Sequence, residues 1–303
     1  MRIIDLTEPE AVCSGSCCVA LGRFDGVHVA HRSLIERARE EKHRRGDGTL
    51  LGVFTFYDAL KGDITTFREK AEIFESLGVD CLFVAHFDSI RDLSPSEFFD
   101  TLLKRMGAVY LTCGFNYRFG RGASGDTEML KKLCKERNIG CFISERIIFD
   151  GVTVSSSYVR ELIASGDTEK AAKILTLPFS INGRVERGYM RGREMGFPTL
   201  NIKYPSEKVS LSAGVYLTLS VYDQKEYFGI TNVGRNPTLP KDELMSETHI
   251  FGDIGDIYEE TVKVSFLRRI RSERKFADLS ELSLQIERDK ISALEMIKEL
   301  KGI

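Results

Sequence analysis

Two histidines at the start of a predicted helix are the clearest sign of chemistry in the first half of the chain. The segment from Gly22 to His31 reads GRFDGVHVAH, and its two histidines, His28 and His31, share one face once the helix begins. A helix N-terminus attracts anions, and imidazoles there can bind triphosphate oxygens and stabilise charge that develops at phosphorus. We therefore predict a nucleotide phosphate site. A zinc site would need a third ligand, which the neighbouring sequence lacks, and a solvent-facing pair without a ligand is the remaining alternative.

A glycine-rich run in the second half, GRVERGYMRGREMGFPTLN, is the second candidate site. Closely spaced glycines let a backbone approach a ligand and leave N–H groups that can bind phosphate. Thr199 and Asn201 project from one face of an extended segment, and their neutral oxygens suit Mg²⁺ where phosphate supplies the negative charge. The run is not a P-loop, because it lacks the Gly-Lys-Ser/Thr ending. The alternative to a phosphate site is a glycine-rich turn that binds no ligand. The glycines predicted to bind phosphate are Gly183, Gly188, Gly192 and Gly196.

The first half alternates short apolar runs with helical periodicity, which implies βαβ units and a doubly wound parallel sheet. In such sheets ligands bind beyond the carboxyl ends of the strands, and the histidine segment directly follows the first strand. We predict that this α/β domain spans 1–178. The predicted strands are 19–21, 50–56, 81–85 and 108–112, and the predicted helices are 31–43, 67–77, 95–106, 126–138, 155–165 and 168–175.

The second half changes to period-two patterns without intervening helices, which predicts a small antiparallel β-barrel over 179–303. Pro178 resists continuation of the preceding helix and marks the join. Apolar residues recur at helical spacing from Leu279 to Leu300, so a C-terminal helix should pack on the barrel. The predicted strands are 180–187, 199–203, 213–222, 226–233, 246–252 and 260–268.

Composition narrows the class of protein. The chain has 303 residues, enough for two domains, and its net charge of −2 argues against a protein that coats nucleic acid. We expect neither a signal peptide nor a membrane span, and so a cytoplasmic protein. The seven cysteines are odd in number and form no CxxC pair, which favours reduced thiols over a disulfide set or a metal site.

Four motifs of the first half, in order, resemble those of the HxGH nucleotidyltransferases, specifically the adenylyltransferase domain of bacterial FAD synthetases. The histidine segment is similar to G-x-F-D-G-x-H-x-G-H, and GFNYRFG and SSSYVR resemble two further family segments, as does LSPSEFF. The resemblance implies that ATP and its phosphates bind at Gly22, Phe24, Asp25, Gly26, Ser155, Ser156 and Arg160, and that the flavin contacts Asn116 and Arg118.

Two positions depart from that family pattern. Ala30 stands where the family usually has glycine, which places a methyl group near the expected phosphate. After Thr55 and Phe56 the family usually continues with Pro-His-Pro, whereas this chain has Tyr57–Leu60, YDAL. Both histidines are kept, so we expect adenylyl transfer to persist, with its rate open.

Segments of the second half resemble riboflavin kinases. The glycine-rich run ends in Pro-Thr-x-Asn, with Leu200 in place of the usual alanine, and GITNVGRNPT and IRSERKF match two further family segments. Glu247 falls where the family has its catalytic glutamate, and a carboxylate is suited to accept the proton of an attacking alcohol. By resemblance, Asn232, Arg271 and Phe276 contact the flavin. The alternatives are a solvated Glu247 and a surface ion pair between Arg271 and Glu273.

Together the resemblances cover nearly the whole chain and imply a bifunctional riboflavin kinase/FMN adenylyltransferase. Its second domain would phosphorylate riboflavin with ATP and Mg²⁺ to give FMN, and its first would adenylylate FMN to FAD with release of pyrophosphate. We expect riboflavin, FMN and ATP as partners, no nucleic acid, and a monomer or weak oligomer. The alternatives are a chain in which only one half works, most plausibly the kinase, and a flavin-binding regulator without catalysis.

Overall fold

A computed structural model describes the chain except at residues 9, 47, 187–198, 236–243, 253, 256 and 303 and the side chain of residue 102. The chain divides into two compact units, Met1–Tyr158 and Val159–Ile303. The expected boundary at residue 178 differs from this division, because the segment 159–178 packs with the second unit. Within that segment, for example, the Thr168 hydroxyl donates to the Leu267 carbonyl at 3.2 Å.

The first unit is built on a six-stranded parallel sheet, which confirms the predicted doubly wound α/β architecture. Its strand order is β1-β4-β3-β2-β5-β6. The predicted strands are confirmed, and β1 and β6 are additional; both are partly exposed edge strands, so neither forms a continuous buried apolar run. The strands are β1 (Arg2–Asp5), β2 (Cys17–Leu21), β3 (Leu50–Phe56), β4 (Cys81–Ala85), β5 (Ala108–Gly114) and β6 (Gly140–Ser144), followed by a hairpin of β7 (Ile148–Phe149) and β8 (Val152–Thr153).

Local capping signals fix the helices of the first unit. Thr66 and Ser94 each form a capping box with the glutamate three residues later, and Gly107 ends a helix in the left-handed conformation. All four predicted helices between the strands are confirmed, and a one-turn helix is added. They are α1 (Val29–Arg45), α2 (Phe67–Ser76), α3 (Phe87–Ile90), α4 (Pro95–Met106) and α5 (Thr127–Glu136).

The sheet reverses its strand order at β2. From β2 the chain proceeds to β3 and β4 on one side, and it later returns to place β5 and β6 on the other. Successive residues of β2 face opposite cores: Val19 packs with Phe54, and Ala20 packs with Leu34. The carboxyl ends of β2 and β5 therefore border the crevice in which ligands of doubly wound sheets bind.

The second unit is a closed barrel of six antiparallel strands, in the order β10-β13-β12-β11-β14-β9. The predicted strands, the helices before the barrel and the C-terminal helix are confirmed. Among the described helices, none combines the length and apolar character needed to cross a membrane. The elements are α6 (Ser156–Ser165), α7 (Thr168–Leu175), β9 (Phe179–Glu186), β10 (Thr199–Lys203), β11 (Gly214–Tyr222), β12 (Lys225–Arg235), β13 (Leu244–Ile250), β14 (Thr261–Ser272) and α8 (Leu279–Lys301).

The inside and outside of the barrel are set by strand alternation. Thr218, Thr231 and Thr248 form a buried row of hydroxyls on adjacent strands, with oxygens 2.7 and 2.9 Å apart. On the outer surface, Leu217 and Ile230 pack with Ala293 of α8. Because neighbours along a strand point to opposite faces, the residues next to the threonines face outward, as the helix contacts do.

Gly183, one of the glycines expected to bind phosphate, lies in a crowded part of the barrel wall. It pairs with Val262 of β14. A Cβ at this position would lie 2.2 Å from the Cγ2 atom of Ile202. The absence of a side chain is therefore required for packing, whatever else its backbone contacts.

We predict that Gly183→Ala destabilises the barrel by about 1–3 kcal/mol, because the added methyl group forces Ile202 out of its place. Urea unfolding of the full chain, followed by circular dichroism, measures this change. Gly15→Ala is the matched control, since a Cβ there meets its nearest atom at 3.6 Å, an ordinary contact. Equal stability of the two variants would contradict the packing role.

Two candidate active sites

The loop after β2 is anchored by an aromatic ring. Phe24 has a φ of 55°, and its fully buried ring lies edge-on to Phe74 at 5.6 Å and against His31 at 5.0 Å. Gly26 has a φ of 82°, a conformation that glycine adopts without strain. Gly22 begins the loop, with its N–H bonded to the Phe54 carbonyl at 3.2 Å. The Phe24 side chain thus belongs to the core, and a contact of its backbone with ATP stays a prediction.

Asp25 and Gly26 tie this loop to the segment before α2. The buried Asp25 carboxylate accepts hydrogen bonds from the backbone N–H groups of Ile64 at 2.8 Å and Thr65 at 3.1 Å. The Gly26 N–H donates to the Thr65 hydroxyl at 2.9 Å. These groups hold the two segments together, so their first role is structural, and their predicted contacts with ATP remain predictions.

The two histidines meet at the start of α1, as the spacing predicted. Their rings stack with centroids 3.6 Å apart and planes 14° from parallel. Burial lowers the pKa of His28 to about 4, and burial, then His28 and then Lys70 lower the pKa of His31 well below its usual value. Neither Nδ1 atom has a hydrogen-bond partner within the described residues. The structure therefore holds two neutral imidazoles with unused polar atoms at a helix N-terminus.

The predicted serines reach this site from α6. The Ser156 hydroxyl donates to the backbone oxygen of Asp25 at 2.8 Å, which brings it against the histidine loop. The Ser155 hydroxyl accepts from the N–H of Tyr158 at 3.2 Å and so caps the helix. Arg160 lies four residues after Ser156, on the same face of α6.

Asn116 and Arg118 lie on the turn after β5, the strand that pairs with β2. Both are exposed, and Arg118 lies 3.9 Å from the Asp126 carboxylate. Their exposure at the carboxyl end of β5 makes them available to a ligand in the crevice. Their contact with flavin stays a prediction.

The segment that departs from the family pattern packs against its neighbours. The Tyr57 ring lies 5.2 Å from His86 in a stacked arrangement and 4.5 Å from Phe67. The Asp58 carboxylate accepts from the N–H of Phe87 and so caps α3. Ala30 lies in the first turn of α1, where its carbonyl accepts from the Ser33 hydroxyl at 2.9 Å.

In the barrel, three candidate residues stand side by side. Glu247 of β13 pairs with Asn201 of β10 on one side and with Asn232 of β12 on the other. Directly paired side chains project from the same face, and this is the outer face, because Thr248 points inward. Burial raises the pKa of Glu247. The register thus places a carboxylate, made more basic than usual, between two amides.

Thr199 lies on the same outer face, two residues before Asn201 and paired with His249. The Asn201 amide nitrogen donates to the Thr199 carbonyl at 3.4 Å, a long hydrogen bond, and so leaves its side-chain oxygen turned from this contact. Within the described residues no group of three acidic, histidine or cysteine side chains could hold a metal. Gly188, Gly192 and Gly196 lie outside the described residues.

Arg271 is anchored by a residue that the sequence did not single out. Its guanidinium binds the carboxylate of Asp289 on α8, with Nη2 2.8 Å from Oδ2, and Gln285 donates to the same carboxylate at 2.8 Å. Arg271 pairs with Val215, the neighbour of Asn232, and lies 5.7 Å from the Phe276 ring. The sequence left open a surface ion pair between Arg271 and Glu273, whereas the structure pairs Arg271 with the buried Asp289. Only the i, i+4 spacing of Gln285 and Asp289 hinted at it.

The buried histidine pair predicts a specific pH dependence of stability. The unfolded chain takes up the His28 proton near pH 6.5, whereas the folded chain stays neutral down to about pH 4, so acid favours unfolding between these values. Lowering the pH from 7 to 5 should remove about 2 kcal/mol of unfolding free energy through His28 alone. Over the same pH interval, the unfolding free energy of His28→Gln should fall by about 2 kcal/mol less than that of the wild type.

Hydrogen exchange in urea, read on peptides from β2 and β3, measures the stability of the first unit alone. The interval from pH 8 to pH 7 is the control, since both proteins should change in parallel above the unfolded pKa. An identical loss in wild type and His28→Gln between pH 7 and pH 5 would show that His28 is not held neutral.

Comparison with known proteins agrees with this geometry. The FAD synthetase family model matches residues 11–158, and the riboflavin kinase family model matches residues 175–297. The bifunctional riboflavin kinase/FMN adenylyltransferase of Bacillus subtilis is 30% identical over 318 residues, covering 99% of this chain and 100% of that protein. The protein of the same name from Escherichia coli K12 is 32% identical and covers 92% of each chain.

A solved structure has the same fold over nearly the whole chain. It is a Streptococcus pneumoniae protein described as a macrolide-efflux protein, with a TM-score of 0.87 and 28% identity, covering 97% of this chain and 99% of that one. Its name describes a different activity from that of the curated relatives, and the two domain matches decide between them. This chain belongs to the family of bifunctional riboflavin kinase/FMN adenylyltransferases.

Proposed function

We propose that this chain carries out both reactions of its family, at two separate sites, and so converts riboflavin to FAD. The observation that carries this proposal is that each unit holds its own polar constellation for phosphorus chemistry. The first has stacked neutral histidines at a helix N-terminus, and the second has a basic carboxylate flanked by two amides. A regulator that only binds flavin would need neither.

In the barrel, Glu247 accepts the proton of the riboflavin 5′-hydroxyl as it attacks the γ-phosphorus of ATP. Its raised pKa suits this role, because a carboxylate that is more basic takes a proton from an alcohol more readily. Asn232 and Asn201 flank it and orient the reacting groups. Arg271 pairs with Val215, which in turn pairs with Asn232, so Arg271 lies in the same row of paired residues as Glu247. Its guanidinium is fixed by Asp289 and, together with Phe276, faces the flavin.

Mg²⁺ fits the donors on the outer face of β10. Thr199 and Asn201 would hold it through neutral oxygens, while ATP phosphates supply the negative charge. When bound, the ion neutralises charge on the phosphates during transfer. The fit rests on the alignment of both residues with Glu247 on one face of the barrel.

In the first unit, FMN phosphate attacks the α-phosphorus of a second ATP, and pyrophosphate leaves. FMN phosphate is already ionised at neutral pH, so no strong base is needed. His28 and His31, as neutral donors, stabilise the charge that develops on the phosphate oxygens. Ser155, Ser156 and Arg160 contact the outgoing phosphates, and Asn116 and Arg118 contact the flavin from the turn after β5.

The cellular setting follows from the substrates and the thiols. All seven cysteines are free, and six of them are buried, as is usual for proteins of reducing compartments. Together with the use of ATP, this supports a cytoplasmic enzyme. The Tyr57–Leu60 segment and Ala30 leave the histidine pair in place, which supports a working adenylyltransferase over a chain in which only the kinase functions.

We predict that Glu247→Gln lowers the rate of riboflavin phosphorylation by about 10²–10⁴-fold, the usual contribution of a general base. FMN adenylylation in the same protein should be unchanged, because it uses the other unit. Chromatographic separation of flavins after incubation with riboflavin or FMN, ATP and Mg²⁺ measures both. Glu226→Gln, an exposed glutamate on β12, is the matched control and should keep both activities.

The reverse outcome is expected for His28→Ala. FAD formation from FMN should fall by about 10²–10³-fold, while riboflavin phosphorylation continues at the wild-type rate. His43→Ala, on an exposed part of α1, is the control. Loss of both reactions in a folded His28 variant would disprove separate sites, and wild-type protein that makes FMN but never FAD would leave only the kinase.

A further inference from the structure

A buried lysine lies behind the histidine loop, and none of the predicted roles uses it. Lys70 of α2 is 2% exposed, although lysine is almost never fully buried unless it is paired. Among the residues that the structure describes, its ammonium makes one hydrogen bond, from Nζ to the Phe56 carbonyl at 3.5 Å. An ammonium has three donors, so this side chain is far from satisfied.

The carboxylates near Lys70 are already occupied by other donors. Asp25 accepts the N–H groups of Ile64 and Thr65, and the buried Asp63 carboxylate binds Arg23 with both oxygens, at 3.1 and 3.2 Å. Burial lowers the pKa of the Lys70 ammonium, and these carboxylates only partly offset that effect. The charge therefore lies in the site without a direct ion pair to a described residue.

The position of Lys70 points to the nucleotide site. Phe74, one turn later on the same face of α2, contacts Phe24, and Phe24 contacts His31. The Phe56 carbonyl that receives the Lys70 hydrogen bond ends β3, beside β2 and its loop. The charge of Lys70 also contributes to lowering the pKa of His31.

We propose that Lys70 belongs to the anion site of adenylyl transfer, where its ammonium binds a phosphate oxygen of ATP or FMN beside His28 and His31. This inference rests on the proposed adenylyltransferase function of the first unit. A buried cation without a partner is costly, and a phosphate group both satisfies its free donors and neutralises its charge. The flavin or nucleotide would thus supply the ion pair that none of the described residues makes with Lys70.

Lys70→Met tests the proposal, because methionine keeps a long unbranched chain and removes the charge. Loss of one charge-assisted hydrogen bond should lower kcat/KM for FAD formation from FMN by about 10- to 100-fold. A raised KM for ATP identifies the triphosphate as the ligand, and a raised KM for FMN identifies the flavin phosphate. Riboflavin phosphorylation by the same protein should be unchanged, which also reports that it is folded.

Lys61→Met is the matched control, since it removes the same charge from an exposed position nine residues earlier. Thermal unfolding without ligand should show Lys70→Met to be as stable as Lys61→Met or more so, because it removes a buried charge that has no ion-pair partner among the described residues. Wild-type kinetics of Lys70→Met would overturn the proposal. So would a loss of stability with unchanged KM values, which would make Lys70 a structural residue.

Calorimetry with pyrophosphate separates this proposal from the assigned reaction. If wild-type protein forms no FAD, the adenylyltransferase function fails, yet pyrophosphate binding still tests Lys70. In the triphosphate case Lys70→Met should weaken pyrophosphate binding by the same 10- to 100-fold, and Lys61→Met should not. Binding of equal strength in both variants, together with an unchanged KM for FMN, would exclude Lys70 from the anion site.

Discussion

The Asp25 carboxylate holds the first candidate active site together. By accepting N–H groups from the segment before α2, it joins the loop after β2 to the start of a helix that is remote in sequence. The backbone oxygen of the same residue receives the Ser156 hydroxyl. Three separate stretches of chain thus meet at one buried residue. Because an unpaired buried carboxylate is costly, these contacts fix one arrangement of the loop.

In the barrel, the register of the strands positions the candidate site residues, and no single residue joins the segments as Asp25 does in the first unit. Pairing of three antiparallel strands puts Asn201, Glu247 and Asn232 side by side, and the threonine row inside the wall satisfies the hydroxyls behind them. A slip of one residue in any of these strands would turn its candidate site residue inward. The site is therefore as rigid as the barrel hydrogen bonds that carry it.

Much of the fold could be predicted from local signals. Helix α4 has the predicted bounds because Ser94, Pro95 and Gly107 mark its ends in the sequence itself. The edge strands β1 and β6 lacked such signals. An edge strand pairs on one side only and can stay partly exposed, so it need not form a continuous buried apolar run. The histidine pair and the row around Glu247 were found because their residues lie within short motifs.

Residues whose role arises from distant contacts could not be found in this way. Asp289 lies in a helix whose apolar pattern shows only which face is buried, and its partner Arg271 is on another element. Lys70 looks like an ordinary surface lysine until the Asp25 contacts place α2 against the histidine loop. Burial of a charged group is a tertiary property, and no spacing rule reports it.

The anchoring of Arg271 by Asp289 has a consequence for how the protein is made. A ribosome that has reached Tyr158 has already synthesised the whole first unit, including the histidine pair and Ser156, and this unit can fold before the barrel exists. The proposed kinase site must wait for α8, because until Asp289 is present Arg271 lacks the carboxylate that anchors it. A nascent chain should therefore acquire its two activities in the reverse of the order in which the substrate passes through them.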